Sequence, residues 1–170
     1  MNTKPILDPT CGSRTMWFNK NHPKVLYTDR RQESFEVEWK STRKPSVRKC
    51  YVEPDEVVDF TDMPFDDNTF DLVVFDPPHM VGLSEKSWTR KKYGTLQENW
   101  QPLIHDGFHE CMRVLRPNGT LIFKWSETQI STREVINAIG QEPLFGHRSG
   151  KKMNTHWLCF MKFKEDTDEP

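Results

Sequence analysis

Residues 70–80 read FDLVVFDPPHM, an apolar run followed by an acid and two prolines. Its core, 71–76, is a short apolar run that closes on an acid, which is typical of a strand covered on both faces of a parallel sheet. Two prolines follow directly, and each holds its φ angle at about −65° and lacks a backbone N–H group. The sequence therefore predicts a buried strand with a rigid exit, placed at the carboxylate of Asp76.

Strands and helices alternate along the chain on both sides of this stretch. Apolar runs of four to six residues or of period two predict strands, and apolar residues at helical spacing predict helices. The expected elements are strand 5–10, helix 16–23, strand 24–29, hairpin 34–52, strand 56–60, strand 71–76, helix 100–115, turn 116–120, strand 121–125, helix 131–140 and two strands within 143–163.

This order predicts an α/β fold with a Rossmann-like sheet that is mostly parallel and has an antiparallel C-terminal edge strand. We expect one domain over 1–165, in which 34–52 is an inserted basic hairpin and 80–98 is a mobile loop. Residues 166–170 are expected to form a solvated tail. The Trp side chains of the FKW and THW segments, Trp125 and Trp157, are expected to pack in the core.

Composition excludes several classes of protein. The chain has 170 residues, 29% of them charged, and a net charge of −1, which suits one folded domain and argues against a general polyanion binder. Its four cysteines form no Cys-x-x-Cys pair, so we expect no metal site. The sequence contains no signal peptide and no apolar run of the roughly 20 residues that span a bilayer. We therefore expect a cytoplasmic protein without membrane contact.

Acids stand at or near the ends of four predicted strands, at positions 8, 29, 59 and 76. Ligands of parallel sheets bind at the carboxyl ends of the strands, so these acids are expected to surround one site. Carboxylates would repel the phosphates of a dinucleotide, but they suit a ligand with a ribose, an adenine and a cationic centre. The pattern therefore indicates S-adenosyl-L-methionine as the cofactor.

The turn after the first strand, DPTCGSRT at 8–15, is built from small residues. It lacks the Gly-x-Gly-x-x-Gly pattern and the lysine of a phosphate-binding loop, and the alternative interpretation is a tight strand–helix turn. An acid at the end of the second strand typically binds ribose hydroxyls, and one at the third strand can accept from an adenine amino group. The predicted cofactor-binding residues are Asp8, Thr10, Cys11, Gly12, Ser13, Asp29, Asp59 and Phe60.

The two motifs together resemble class I S-adenosylmethionine-dependent methyltransferases, specifically the amino-methyltransferases of nucleic acids. In that family the cofactor motif is similar to DPFxGSGT, here DPTCGSRT, and the substrate motif is Asp/Asn-Pro-Pro-aromatic, here DPPH at 76–79. The chain departs from the family pattern at Arg14, where Gly is frequent, and at His79, where Tyr, Phe or Trp is usual. More narrowly, it resembles the small phage and prophage enzymes in the blocks CGSR, DFTDMPF, FDPPH, KSW, KYG, LIFKW and THW.

The resemblance implies a class I methyltransferase sheet and a catalytic role for the residues of the DPPH motif: Asp76, Pro77, Pro78 and His79. The exocyclic amine of a base is a poor nucleophile, because its lone pair is delocalised into the ring. The Asp76 carboxylate and the Pro77 carbonyl can accept its two hydrogens and localise that lone pair. His79 would stack on the base. The alternative interpretation is a rigid strand exit without chemistry.

The segment at 84–94, SEKSWTRKKYG, mixes cations with flat rings, a combination that suits a phosphate backbone and an unstacked base. Its predicted substrate-binding residues are Lys86, Trp88, Arg90, Lys91, Lys92 and Tyr93. We expect a nucleic-acid partner, with DNA favoured over RNA. The alternative interpretation of this segment is a solvated connection.

Three questions of function stay open at the level of sequence. Relatives that modify DNA usually add a recognition domain, for which this chain has no room, so it is weakly specific, dependent on a partner or a homodimer, or directed at RNA. Related Pro-Pro motifs also serve protein amides. A third reading is a cofactor-binding module without catalysis, which the cation of Arg14 near a sulfonium would favour.

Overall fold

The computed structural model describes residues 4–39, 46–149 and 154–164. Residues 40–45 of the predicted hairpin, residues 150–153 within the predicted pair of C-terminal strands and the predicted tail at 166–170 lie outside these ranges. The elements are β1 (Ile6–Asp8), β2 (Val25–Asp29), β3 (Glu33–Trp39), β4 (Ser46–Val52), β5 (Glu56–Val57), β6 (Phe70–Phe75), α1 (Trp88–Tyr93), α2 (Gln101–Val114), β7 (Leu115–Ser126), α3 (Thr132–Ile139), β8 (Phe145–Ser149) and β9 (Thr155–Met161).

Seven strands form one sheet in the order β5-β2-β1-β6-β7-β9-β8. Strands β5, β2, β1, β6 and β7 are parallel to their neighbours, whereas β9 runs antiparallel to both β7 and β8. This arrangement confirms the predicted Rossmann-like sheet with its antiparallel C-terminal edge. The predicted hairpin is confirmed as well, because β3 and β4 pair with each other outside the main sheet.

Helices α2 and α3 cover one face of the sheet and enclose the main core. The α3 helix begins at a capping box in which Ser131 and Glu134 satisfy each other's backbone groups, and it ends at Gly140 in a left-handed conformation. Gly107 lets α2 approach the sheet, because a Cβ atom there would lie 2.5 Å from the Phe60 ring. Among the described helices, none is long and apolar enough to cross a bilayer.

Aromatic rings fill the centre of this core. Phe123 of β7 is fully buried and lies parallel to the Trp125 ring at a centroid distance of 5.9 Å. Phe75 and Phe108 contact it from β6 and α2, at 5.5 and 6.5 Å. Trp125 is therefore the core residue that the sequence predicts, whereas the prediction for Trp157 is wrong, since its exposed fraction is 36%.

The predicted helix at 16–23 is wrong, and the segment consists of turns. Its polar side chains bind nearby backbone groups instead, since Asn19 Oδ1 accepts from Asn21 N and His22 Nδ1 from Lys24 N. Such local bonds compete with helix formation. Trp17 anchors the segment, because its ring meets Tyr27 edge-on at 5.4 Å.

Two further segments differ from their predictions. The loop predicted at 80–98 contains the short helix α1, whose first turn is capped by the Ser87 side chain. The sharp turn predicted at 116–120 is an irregular start of β7, since Phe70 pairs with Leu115 but Leu72 pairs with Thr120. The extra residues form a bulge, in which Asn118 takes a φ of 65°.

Candidate active site

The site lies where the chain changes direction across the sheet. From β1 the chain runs outward to β2 and β5, and then returns to β6 on the other side of β1. The carboxyl ends of β1 and β6 thus flank the switch point, which is the usual ligand position in such sheets. The small-residue turn at 9–15 follows β1, and the DPPH motif at 76–79 follows β6.

The turn at 9–15 is held against the end of β2 by its backbone. Gly12 has a φ of 49°, a conformation that favours glycine, and its N–H donates to the Asp29 carboxylate at 2.9 Å. Cys11 N donates to the carbonyl of Thr28 at 2.9 Å. Burial raises the pKa of the Cys11 thiol to about 12, so this residue is a small wall group and not a nucleophile.

Asp8 lies beneath the turn and is fully buried. Its Oδ1 accepts from Thr10 N at 3.2 Å and its Oδ2 from Trp17 Nε1 at 2.7 Å. Burial raises its pKa to about 7, against the lowering effect of these two bonds, and the nearby carboxylates of Asp76 and Asp29 raise it further. Asp8 therefore shapes the turn from below, and its predicted contact with a cofactor stays a prediction.

The raised pKa of Asp8 makes stability depend on pH. The folded protein holds this proton more tightly than the unfolded chain, so the free energy of unfolding falls as pH rises from about 4 to about 7. We expect wild type to lose about 2 to 3 kcal/mol more than Asp8→Asn between pH 5 and pH 8. Urea unfolding at the two pH values measures both differences.

The Asp8→Asn amide can accept only one of the two hydrogen bonds, so the variant is expected to be less stable than wild type at pH 5. The readout is therefore the slope with pH and not the stability at one pH. Equal slopes for the two proteins would contradict the raised pKa of Asp8.

Asp29 closes the far side of the turn. Its Oδ2 accepts from Gly12 N, and its Oδ1 accepts from the backbone N–H and from Nε of Arg31 at 2.9 and 3.3 Å. Arg31 continues to α1, where its Nη1 donates to the Lys91 carbonyl at 3.1 Å. Asp29 lines the cavity and links the turn, β2 and α1. Its predicted binding of a ribose stays a prediction.

Asp59 and Phe60 follow β5 at the edge of the site. Asp59 is exposed, and its carboxylate accepts from the backbone and hydroxyl of Thr61 at 3.0 and 2.8 Å. Burial alone would raise its pKa, but these bonds and the charge of Arg30 lower it, so the group is ionised at neutral pH. Phe60 is buried and yet forms part of the cavity wall.

Arg14 stands where the related motif often has glycine, and its backbone shows why, since its φ is 54°. Its guanidinium points away from the cavity and lies 4.0 Å from the centre of the Tyr27 ring. It donates to the carbonyls of Lys20 and Glu53 and to the Asp55 carboxylate, at 2.8, 2.7 and 2.9 Å. The cation is therefore a support for the turn, and it places no positive charge at the cavity wall.

The DPPH motif is tied directly to the turn. The backbone N–H of Asp76 donates to the hydroxyl oxygen of Thr10 at 3.0 Å. The Asp76 side chain is 15% exposed, and its Oδ2 accepts from Lys124 Nζ at 2.6 Å. No described residue donates to its Oδ1. Pro77 is buried and Pro78 is half-buried, so the motif presents one free carboxylate oxygen from a rigid backbone.

His79 lies beside this carboxylate and is half-buried. Burial lowers its pKa, and the charge of Lys124 adds to this, whereas Asp76 and a hydrogen bond to the Pro77 carbonyl oppose it. The ring is therefore neutral at physiological pH. It meets Trp125 edge-on at 6.2 Å, which fixes its plane. A neutral, oriented ring can take the stacking role of the larger aromatic residues.

Two spaces open beside the motif. A cavity of about 50 Å³ lies between the turn and α1, with Gly12, Asp29, Phe60 and Asp76 in its wall. An open cleft of about 740 Å³ begins at Pro78 and shares Arg30 and Arg31 with the wall of the cavity. The cavity is far smaller than the roughly 300 Å³ or more that small-molecule sites enclose.

The structure divides the predicted substrate-binding residues into groups. Lys92 and Tyr93 lie in the wall of the small cavity, whereas Arg90 and Lys91 line the open cleft. Trp88 packs on the hairpin instead, with its ring edge-on to Phe35 at 5.9 Å and under the Arg48 guanidinium at 5.7 Å. Lys86 is exposed at the start of the segment.

The remaining predicted cofactor residue, Ser13, has its hydroxyl 3.1 Å from the thiol of Cys50 and also lines the cavity. Within the described ranges, no group of three or more His, Cys, Asp or Glu side chains is placed to hold a metal. Two cations contact carboxylates of the site and have no role assigned from the sequence, Arg31 on Asp29 and Lys124 on Asp76. A cation at a strand end was the signal for both, but their partners were not visible in the sequence.

Comparisons with known proteins agree with this fold. No protein-family model matches the chain. It is 34% identical over 61 residues to the type II methyltransferase M.HpaI of Haemophilus parainfluenzae, a match that covers 33% of this chain and only 17% of that protein.

Two solved structures are similar across most of the chain. The PH0226 protein of Pyrococcus horikoshii OT3 has a TM-score of 0.54 at 14% identity, over 94% of this chain and 81% of that one. A methylase of Haemophilus influenzae, HI0767, has a TM-score of 0.47 at 13% identity, over 96% and 89%. At this identity PH0226 shows the fold alone, and HI0767 is too distant to support an argument.

Proposed function

We propose that this protein transfers a methyl group from S-adenosyl-L-methionine to an exocyclic amino group of a nucleic-acid base, with DNA as the favoured polymer. One observation carries the proposal. The backbone N–H of Asp76 donates to the hydroxyl oxygen of Thr10, in the turn after β1, so the two motifs adjoin each other. The short match to a type II methyltransferase supports the same class of reaction.

The residues of the cavity fit the cofactor. The positive φ of Gly12 favours a residue without a Cβ atom, so the turn gives close access to backbone at the cavity wall. The exposed, ionised carboxylate of Asp59 is available to an adenine amino group, and Asp29 lies in the cavity wall. The guanidinium of Arg14 faces away, so it does not oppose a sulfonium. When bound, the cofactor supplies the methyl group and leaves as a neutral thioether.

The protein's own chemistry centres on the free oxygen of Asp76. Its Oδ1 can accept one hydrogen of the exocyclic amine, and the Pro77 carbonyl can accept the other. The two bonds draw the hydrogens out of the plane of the ring and localise the nitrogen lone pair. The ionised carboxylate then stabilises the positive charge that develops on nitrogen and is the first acceptor for the proton that nitrogen loses.

Positive charge around the motif suits a polyanion. The open cleft beside Pro78 has Arg30, Arg90 and Lys91 in its wall, together with the acids Glu33, Glu85 and Asp106. A second open groove, of about 450 Å³, lies between the turn at 9–15 and the hairpin and has Lys20 and Lys92 in its wall. The cations of the cleft and of the groove can hold phosphates near an extruded base.

Access to the cavity requires movement of the segment at 84–94. The walls formed by Lys92 and Tyr93 leave about 50 Å³, which is too small for a nucleoside. The segment is held by the Arg31 bond to the Lys91 carbonyl, by the Trp88 ring on Phe35 and under Arg48, and by the Lys91 ammonium 5.8 Å from the centre of the Phe35 ring. We expect these contacts to open for the cofactor and to close again over it.

The test is transfer of tritiated methyl groups from S-adenosyl-L-methionine into unmethylated genomic DNA, total RNA and total cell protein. We expect label in DNA, on an exocyclic amine after hydrolysis to nucleosides. Label in RNA alone would mean that the substrate is RNA and that the proposed reaction is still correct. Label in protein alone would contradict the proposal that a base is the methyl acceptor. Calorimetry of cofactor binding accompanies the assay. Binding without transfer to any acceptor would favour a non-catalytic module.

A further inference from the structure

The ion pair between Lys124 and Asp76 is the feature of this site that neither the motif nor the cavity explains. Lys124 Nζ lies 2.6 Å from Asp76 Oδ2, and the two side chains are only 23% and 15% exposed. Charge-assisted bonds of this length are strong, and their strength rises as water is excluded. The pair joins β7 to the exit of β6, 48 residues apart in sequence.

The position of Lys124 is itself restrained. It is the direct partner of Trp157 in the antiparallel pairing of β7 with β9. Its ammonium lies 5.7 Å from the centre of the Trp157 ring, a contact that favours the cation. Strand pairing and this contact together restrain the ammonium beside Oδ2 of Asp76.

Two further carboxyl groups lie near Asp76. The charges of Asp76 and Asp29 both raise the pKa of Asp8, so the three groups are close enough to interact. Lys124 is the cation that contacts Asp76. The other charged or titratable groups around Asp76 are His79 on its own segment, Arg30 and Arg31 after β2, and Lys92 and Tyr93 on α1.

We propose that Lys124 is a positioning residue that divides the work of the Asp76 carboxylate between its two oxygens. Lys124 stays on Oδ2, fixes the rotamer and keeps the group ionised, while Oδ1 accepts the amine of the substrate. Without Lys124, the carboxylate takes up a proton at higher pH and turns away from the amine. The statement that Oδ1 accepts the substrate amine rests on the proposed function. The role of Lys124 at Oδ2 concerns this chain alone.

The first test needs no substrate. The carboxyl carbon of Asp76, labelled with ¹³C and assigned by its loss in Asp76→Ala, is followed by NMR from pH 4 to pH 9. In Lys124→Met, the midpoint of the chemical-shift change is expected at a pH about one to three units higher than in wild type, because a contacting cation is removed. Lys124→Arg keeps the cation and is expected to stay within about half a unit of wild type.

The second test is the single-turnover rate of methyl transfer over the same pH range. In Lys124→Met we expect a loss of about tenfold or more near pH 6, from the lost restraint on the rotamer together with protonation of Asp76, and a cofactor Kd within about twofold. The part of the loss that is due to protonation is expected to recover at pH 9, whereas the part that is due to the rotamer is expected to remain. Lys124→Arg is expected to restore the profile. Lys124→Gln, which retains polarity, replaces Lys124→Met if that variant does not fold.

The outcomes separate this inference from the proposed function. An unchanged NMR profile in Lys124→Met overturns the inference, whether or not any acceptor is methylated. A Lys124→Met rate close to that of wild type near pH 6 also overturns it. If wild type methylates no nucleic acid, the proposed function fails, and the NMR profile alone then decides whether Lys124 keeps Asp76 ionised.

Discussion

We expect the Asp76→Ala variant to transfer methyl groups about 10²- to 10³-fold more slowly than wild type, while its cofactor affinity stays within about threefold. The substitution removes the one carboxylate oxygen that faces the substrate without a partner. It leaves the backbone of the motif in place, because the Asp76 N–H group, which the substitution retains, donates to the Thr10 hydroxyl. Single-turnover transfer and calorimetry of cofactor binding measure the two effects.

A second carboxylate on the same strand provides the matched control. Asp71 is exposed on β6 and pairs with Arg116 at 2.8 Å, far from the motif. Asp71→Ala removes one negative charge and one ion pair, as Asp76→Ala does, and we expect its transfer rate to match wild type. If Asp76→Ala keeps full activity, the catalytic assignment of the motif is wrong. If it loses cofactor binding as well, Asp76 acts on the cofactor and not on the amine.

The largest expected effect on stability comes from Phe123→Ala. Phe123 is fully buried and contacts Phe75, Phe108 and Trp125 at the centre of the core. Truncation of a phenylalanine in such a position leaves a cavity and typically costs about 3 to 5 kcal/mol. That is a large share of the roughly 5 to 15 kcal/mol that stabilises a domain, and urea unfolding measures it.

Phe123→Leu is the control for this prediction, because it keeps most of the apolar volume. We expect it to cost less than Phe123→Ala by at least about 1.5 kcal/mol. A loss below about 1 kcal/mol in Phe123→Ala would mean that neighbouring rings close the cavity. The residue also matters for the site, because Phe123 immediately precedes Lys124 and its partner Phe75 immediately precedes Asp76.

The strands of this protein were largely predictable because their signals are local. The apolar run at 71–76 and the alternating pattern in the hairpin depend only on neighbouring residues, and both elements form as predicted. The helix at 131–140 was predictable for the same reason, since Ser131 and Gly140 are caps that act within one turn. The prediction failed at 16–23, because polar side chains there bind the nearby backbone and the predicted helix does not form.

The site was predictable in part. The sequence indicates that acids follow the strands, and parallel strands bring their carboxyl ends to one edge, so Asp29 and Asp76 do meet at one cavity. It could not show that Asp8 is fully buried beneath the turn, because burial depends on Trp17 and on the neighbouring strands. It also could not show that α1 closes the cavity with Lys92 and Tyr93.

The order of the elements, the mostly parallel sheet and the rigid carboxylate at the end of β6 follow from the sequence alone. Hydrophobic period, turn residues and the fixed φ of proline act over a few residues and need no tertiary context. Which charged side chains pair with each other depends on the tertiary structure. Lys124 reaches Asp76 across 48 residues, and Arg14 turns toward Asp55 and away from the cavity across 41. Charged side chains pair when they are close in space, and the order of the strands in the sheet determines which of them are close.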